Sequence, residues 1–162
     1  MTLLHDSIAQ LLSELVEGPP KGDAYMLNPG DPGLLRSLER MSAAAASQAP
    51  PNGAAPIAAH VDHVCYGIEL LNRWYAGEAD PWSDADWTAS WRRTHVSDAE
   101  WEALRNRLRE SATRLRLALQ QPRDLSANEL KTVIGAVAHL AYHFGSIRQI
   151  DRSLRGPAAS GS

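Results

Sequence analysis

An all-α helical bundle is the fold class this sequence predicts, and three observations carry the prediction. Apolar residues recur at spacings of three and four through most of the chain; the segments between them are rich in proline and glycine; no stretch shows the strict alternation of a half-buried strand. The 162 residues are enough for one domain with a continuous core, expected over positions 1–156, with a flexible tail at 157–162.

The first helix is read from Leu3 to Val16, where Leu4, Ile8, Leu11, Leu12 and Leu15 mark one buried face and Gly18, Pro19 and Pro20 end it. After a loop to Gly30, Asp31 can cap and Pro32 can start a second helix carrying Leu34, Leu35, Leu38 and Met41, which the alanine run 43–46 prolongs. Pro50, Pro51, Asn52 and Gly53 break the chain. Pro56 suits the first turn of a third helix running to about Glu78, with a stripe of Ile57, His60, Val64, Ile68, Leu71 and Tyr75. From Gly77 to Val96 the pattern lapses into a Trp-rich crossover, Trp82, Trp87 and Trp91, expected to pack across one end of the bundle. Ser97 with Glu100 and Ser126 with Glu129 are capping boxes that open the last two helices, one closed by Pro122 and the other reaching Ile150. Four long helices in an up-down-type bundle, with the short N-terminal helix packed beside them, are the expected arrangement.

Composition narrows the function classes. A net charge of −3 gives no electrostatic reason to expect nucleic acid, and the arginines at 105, 107, 109, 114 and 116 alternate with leucines as on a solvated helix face. No stretch approaches the roughly 20 apolar residues of a membrane span, and no signal peptide is evident at the N-terminus. The single cysteine, Cys65, cannot form an internal disulfide. A cytoplasmic protein with a small-molecule partner is the expectation.

Four of the six histidines fall in two short pieces, His60-Val-Asp-His63 and His139-Leu-Ala-Tyr-His143. Residues four apart stand one above the other on a helix, so His139 and His143 can aim two imidazoles at one point. Gly135, Ala136, Ile147 and Ile150 share that stripe, which turns the pair inward. His60 lies on the apolar stripe of its own helix. His63, one turn away, is the alternative first ligand, and helical phase favours His60. Buried imidazoles often simply bond a carbonyl, and a lone H-x-x-x-H is common; a third inward histidine on another helix is what points to a shared divalent metal. Three ligands leave a position open for water or substrate, and imidazole ligation does not choose among zinc, nickel, iron and copper. His5 and His95, without such companions, read as surface residues. Asp62, Glu69 and Tyr142 are candidate partners for the ligands' second nitrogens, Arg148 for an anionic group or a salt bridge, and the tryptophans for the wall of a pocket.

A histidine early in a helix after a Pro-rich break, a Trp-rich crossover, and a final helix reading His139-Leu-Ala-Tyr-His143-Phe-Gly-Ser-Ile-Arg-Gln resemble the DinB-like, or YfiT-like, superfamily of four-helix bundles over about Gly30 to Ile150. The resemblance implies a metal triad of one histidine from the second bundle helix and two from the fourth, by position His60, His139 and His143. It further implies a metal-dependent enzyme of the transferase, isomerase or hydrolase kind, with a low-molecular-weight thiol as a cofactor in some members and homodimers common. The competing expectations are a non-catalytic metal-stabilised or stress-related binding protein, and an interaction bundle without metal.

Overall fold

In the computed structural model, which describes residues 3–121 and 123–158, six α-helices and two short 3-10 turns make up the regular structure, and there is no strand among the described residues. The ends of the helices follow from local chemistry. Helix α1 (Leu3–Glu17) buries Ile8, Ala9, Leu12, Leu15 and Val16, and stops where Gly18 takes φ 93° and donates its N–H to the Glu14 carbonyl at 2.9 Å. Gly18 passes so close to the chain at Asp31 and Pro32 that a Cβ there would collide with the Asp31 carbonyl, so no other residue fits the turn. Within α1, Glu14 is buried, and its Oε1 accepts the backbone N–H groups of Tyr25, Met26 and Leu27 at 3.0, 2.7 and 2.7 Å. A loop without secondary structure is thereby fixed to the bundle through its own unpaired donors.

The single second helix expected over Pro32 to Ala46 is two helices, α2 (Gly33–Glu39) and α3 (Ala43–Ala46). Ser42 interrupts it: its side chain accepts the N–H of Ala45 at 3.2 Å, the local bond that makes serine a better cap than a mid-helix residue. The carbonyl of Met41 is meanwhile taken by the indole N–H of the buried Trp101 at 2.9 Å. The cap falls on Pro32, one residue later than expected, and Asp31 just before it accepts the Gly33 N–H at 2.9 Å.

Helix α4 (Ile57–Tyr75) ends in a Schellman turn: Gly77 at φ 103° donates to the Trp74 carbonyl and Glu78 to that of Arg73, at 3.0 and 3.1 Å. Both capping boxes form as read, Ser97 with Glu100 opening α5 (Asp98–Leu119) and Ser126 with Glu129 opening α6 (Ala127–Ile150). Pro122, expected to close α5, lies outside the described residues.

The bundle is formed by α1, α4, α5 and α6, with α5 packed on α1 and α4, and α6 on the same two from the other side. The short N-terminal helix expected to lie beside a four-helix bundle is therefore one of the four, and α2 and α3 are the short pieces alongside. Leu12, Leu15, Leu34, Leu71, Leu108, Leu115, Phe144 and Ile147 fill the middle. No helix among the described residues is long and apolar enough to cross a membrane. Of the segment 157–162, Pro157 is held through its carbonyl by the side-chain amide of Asn28 at 2.7 Å, and positions 159–162 lie outside the described residues.

Candidate metal centre

Where α4 and α6 face each other, all four clustered histidines meet. Nε2 of His139 stands 3.1 Å from Nε2 of His63 and 3.0 Å from Nε2 of His143. His63, His139 and His143 each offer one ligand nitrogen, and these atoms lie within 4.8 Å of one another. His60 enters differently: its Nδ1 lies 3.0 Å from Nδ1 of His143, the nitrogen turned away from that convergence. His143 thus has both ring nitrogens engaged. His63 and His143 are buried, His60 and His139 half-buried.

Three nitrogens at such distances conflict with a hydrogen-bonded account. An imidazole nitrogen has one in-plane site, either an N–H or a lone pair, so Nε2 of His139 cannot serve two neighbours well. Nδ1 of His63 is buried without a hydrogen-bond partner as well. Protonation would worsen matters, because burial and the neighbouring rings both disfavour the charged form. Burial, then the neighbouring imidazoles His139 and His60, push His63 down to about 4, against a small opposing pull from Asp62. His143 is pushed down to about 3 by burial and then by His139, His60 and His63. His60 and His139 are also lowered, by burial. At neutral pH the cluster is a set of uncharged imidazoles with lone pairs to donate. Three ligands on one tetrahedral ion at about 2.0–2.1 Å would stand about 3.3 Å apart, close to the two separations that Nε2 of His139 makes with Nε2 of His63 and of His143. The donor set fits a divalent ion.

The Trp-rich crossover covers the cluster. Trp91, in the 3-10 turn Ala89–Arg92, stacks on His63 with ring centroids 4.4 Å apart and meets His60 edge-on at 5.2 Å. Trp87 stands 5.8 Å from His63 and 6.4 Å from His139. Arg93 ties the crossover to α4 by donating to Asp62 at 2.8 Å, and the Tyr66 hydroxyl accepts the Asp86 N–H at 3.0 Å.

The other candidates go elsewhere. Asp62 and Glu69 face α5, where Arg107 donates to both, at 2.6 Å to Asp62 and through Nε at 2.7 Å to Glu69. One arginine of the run expected to be solvated is therefore an inter-helix clamp. Its signal, Asp62 and Glu69 two turns apart on one helix, is present in the sequence, but their partner is not identifiable from it. Tyr142 is exposed and touches the site only through its ring, 5.0 Å from that of His143. Arg148 is committed to Asp31, donating to both carboxylate oxygens at 2.7 and 2.8 Å. Cys65 is buried, its thiol pushed up by burial, so it is not a nucleophile. His95 is exposed as expected, whereas His5 is buried.

A four-helix bundle carrying a convergent set of imidazoles between two of its long helices defines the class, an all-α protein with a histidine cluster that could hold a divalent ion. The model of the DinB superfamily matches residues 32–145, well over half of the chain, and the protein belongs to that superfamily. No curated protein and no solved structure matches the chain.

Proposed function

We propose that the protein is a divalent-metal-dependent enzyme in which His63, His139 and His143 hold the ion and His60 supports His143 from behind. The observation that carries this reading is the meeting of three Nε2 atoms at 3.0 and 3.1 Å, an arrangement that hydrogen bonding among neutral imidazoles does not satisfy. It departs from the phase-based preference for His60, because the ring of His60 addresses the other nitrogen of His143. A ligand's second nitrogen is ordinarily engaged in this way, usually by a carboxylate or carbonyl, and the contact fixes its tautomer and its orientation. A bound ion with an open position supplies Lewis acidity and lowers the pKa of a coordinated water or thiol toward neutrality. The chain's own contribution is to keep the imidazoles neutral by burial and to shield them with Trp87 and Trp91. Transfer to or from a low-molecular-weight thiol, or hydrolysis, is the reaction type proposed.

A second reading, a metal-stabilised protein without catalysis, draws support from the carboxylates that α4 carries beside its histidines. Asp62 and Glu69 are held by arginines and Cys65 is buried, so neither base nor nucleophile from that stretch of α4 is free to act. Elemental analysis of the purified protein comes first, one equivalent of metal being the expected result. Chelation then separates the readings: loss of thiol-transfer or hydrolytic turnover marks the enzyme, and a lowered melting temperature with no turnover beforehand marks the second.

A further inference from the structure

Beside the histidines, the seam between α4 and α6 opens into a pocket of about 320 Å³. Gly67, Ile68 and Leu71 of α4 and Gly135 and Ala136 of α6 form its walls, and Trp82 closes it from the crossover. No charged side chain lines it. The hydroxyl of Thr132 is spent on the Asn128 carbonyl at 3.1 Å. The pocket ends on His139 and Trp87, two rings that also border the metal centre. There the imidazole presents its other nitrogen: Nδ1 of His139 is the side-chain atom nearest to the position of a Cβ on Gly67, at 3.6 Å, and the missing side chain at Gly67 keeps that edge open.

We propose that this pocket binds a small uncharged molecule with an apolar, flat or branched body and one hydrogen-bond acceptor, a carbonyl or hydroxyl oxygen, directed at Nδ1 of His139. The proposal rests on the metal reading for one point: a ring that gives its Nε2 lone pair to an ion carries its proton on Nδ1 and becomes a donor into the pocket. The rest follows from the walls. A charged ligand would lose its hydration against a surface with nothing to repay it, whereas apolar area gains about 25 cal/mol per Å² buried. The volume is at the small end for ligand pockets and suits a single ring system better than a peptide segment.

The test uses the neutral naphthyl ketone dye prodan, whose emission shifts to the blue in an apolar site, titrated into metal-free and metal-loaded protein. Saturable one-to-one binding is expected, at least tenfold tighter than that of a sulfonated naphthalene dye of similar size. Gly135→Leu fills the pocket without a backbone collision, since a Cβ there meets nothing within 4 Å, and it should weaken prodan at least tenfold with metal stoichiometry unchanged. Ala136→Met is the second filler. Unsaturable binding, equal binding of the sulfonate, or undiminished binding by both variants would overturn the proposal. So would binding that declines as protein concentration rises, which would assign the seam to a second copy of the chain. If the metal reading alone fails, no ion binds and prodan still saturates, with no change on adding metal. If the pocket alone fails, metal binds one-to-one and prodan does not.

Discussion

Removing His60 and removing His63 should have unequal effects on metal binding, and the inequality tests how the imidazoles are arranged. His63 meets Nε2 of His139 at 3.1 Å with its own Nε2, whereas His60 meets only the outward Nδ1 of His143. Structural zinc sites with four ligands bind with roughly 10–16 kcal/mol, which makes each ligand worth about 2.5–4 kcal/mol. His63→Ala should therefore weaken zinc by a factor on the order of several hundred. Loss of a supporting partner costs about 10–100-fold, so His60→Ala should retain stoichiometric zinc at reduced affinity. Competition titration against a chromophoric chelator gives both constants, and cobalt substitution adds a check on the ligand set. The d–d spectrum of the His60→Ala protein should keep its intensity and shift slightly, while that of His63→Ala should change form. The reverse order, with His63→Ala near wild type and His60→Ala empty, would refute the assignment and return the first ligand to the position that helical phase favours.

Acidification should destabilise the metal-free protein between pH 6.5 and about 3. Folded pKa values lowered in all four histidines mean that the unfolded chain takes up protons first, so stability is flat above 6.5 and falls as pH drops, by up to about 1.4 kcal/mol per pH unit for each histidine. Urea midpoints at pH 7.5 and 5.0 check this, and a midpoint that rises on acidification would contradict it. Arg148→Met should cost about 3–5 kcal/mol in urea unfolding, because it leaves the Asp31 carboxylate buried without its cation, and adding Asp31→Asn should recover part of the loss. Trp101→Phe removes the donor to the Met41 carbonyl and should cost about 1–3 kcal/mol, seen in the same assay; a null effect would mean that water reaches that carbonyl.

Local chemistry was readable from the chain, and tertiary choices were not. The two capping boxes are encoded within four residues each, so they form as read. The break at Ser42 is different, since Ser42 is permissible in a helix and the indole that draws off the Met41 carbonyl comes from Trp101, sixty positions away. The histidines divide in the same way. Four-residue spacing was enough to bring His139 and His143 together, but His60 and His63 differ by only about 60° around α4, and an imidazole reaches far enough for both to arrive. Which nitrogen each presents depends on rings from α6 and on Trp91, and no periodicity reports that. Likewise, Asp62 and Glu69 were reasonable partners for a ligand until α5 supplied Arg107.

That clamp also bears on how precisely the histidines of α4 are aimed. Asp62 precedes His63 directly, so the carboxylate gripped by Arg107 and the imidazole beside it point to different sides of one rigid rod. A ring nitrogen stands roughly 6–7 Å from the axis of its helix, so a roll of about 10° would carry it about 1 Å, twice the roughly 0.5 Å that a preorganised site tolerates. By gripping Asp62 and Glu69, which lie on one flank of α4 roughly 100–120° round from His63, the guanidinium resists that roll. The aim of His63 is steadied from the flank of its helix, as a rudder is held from its tiller.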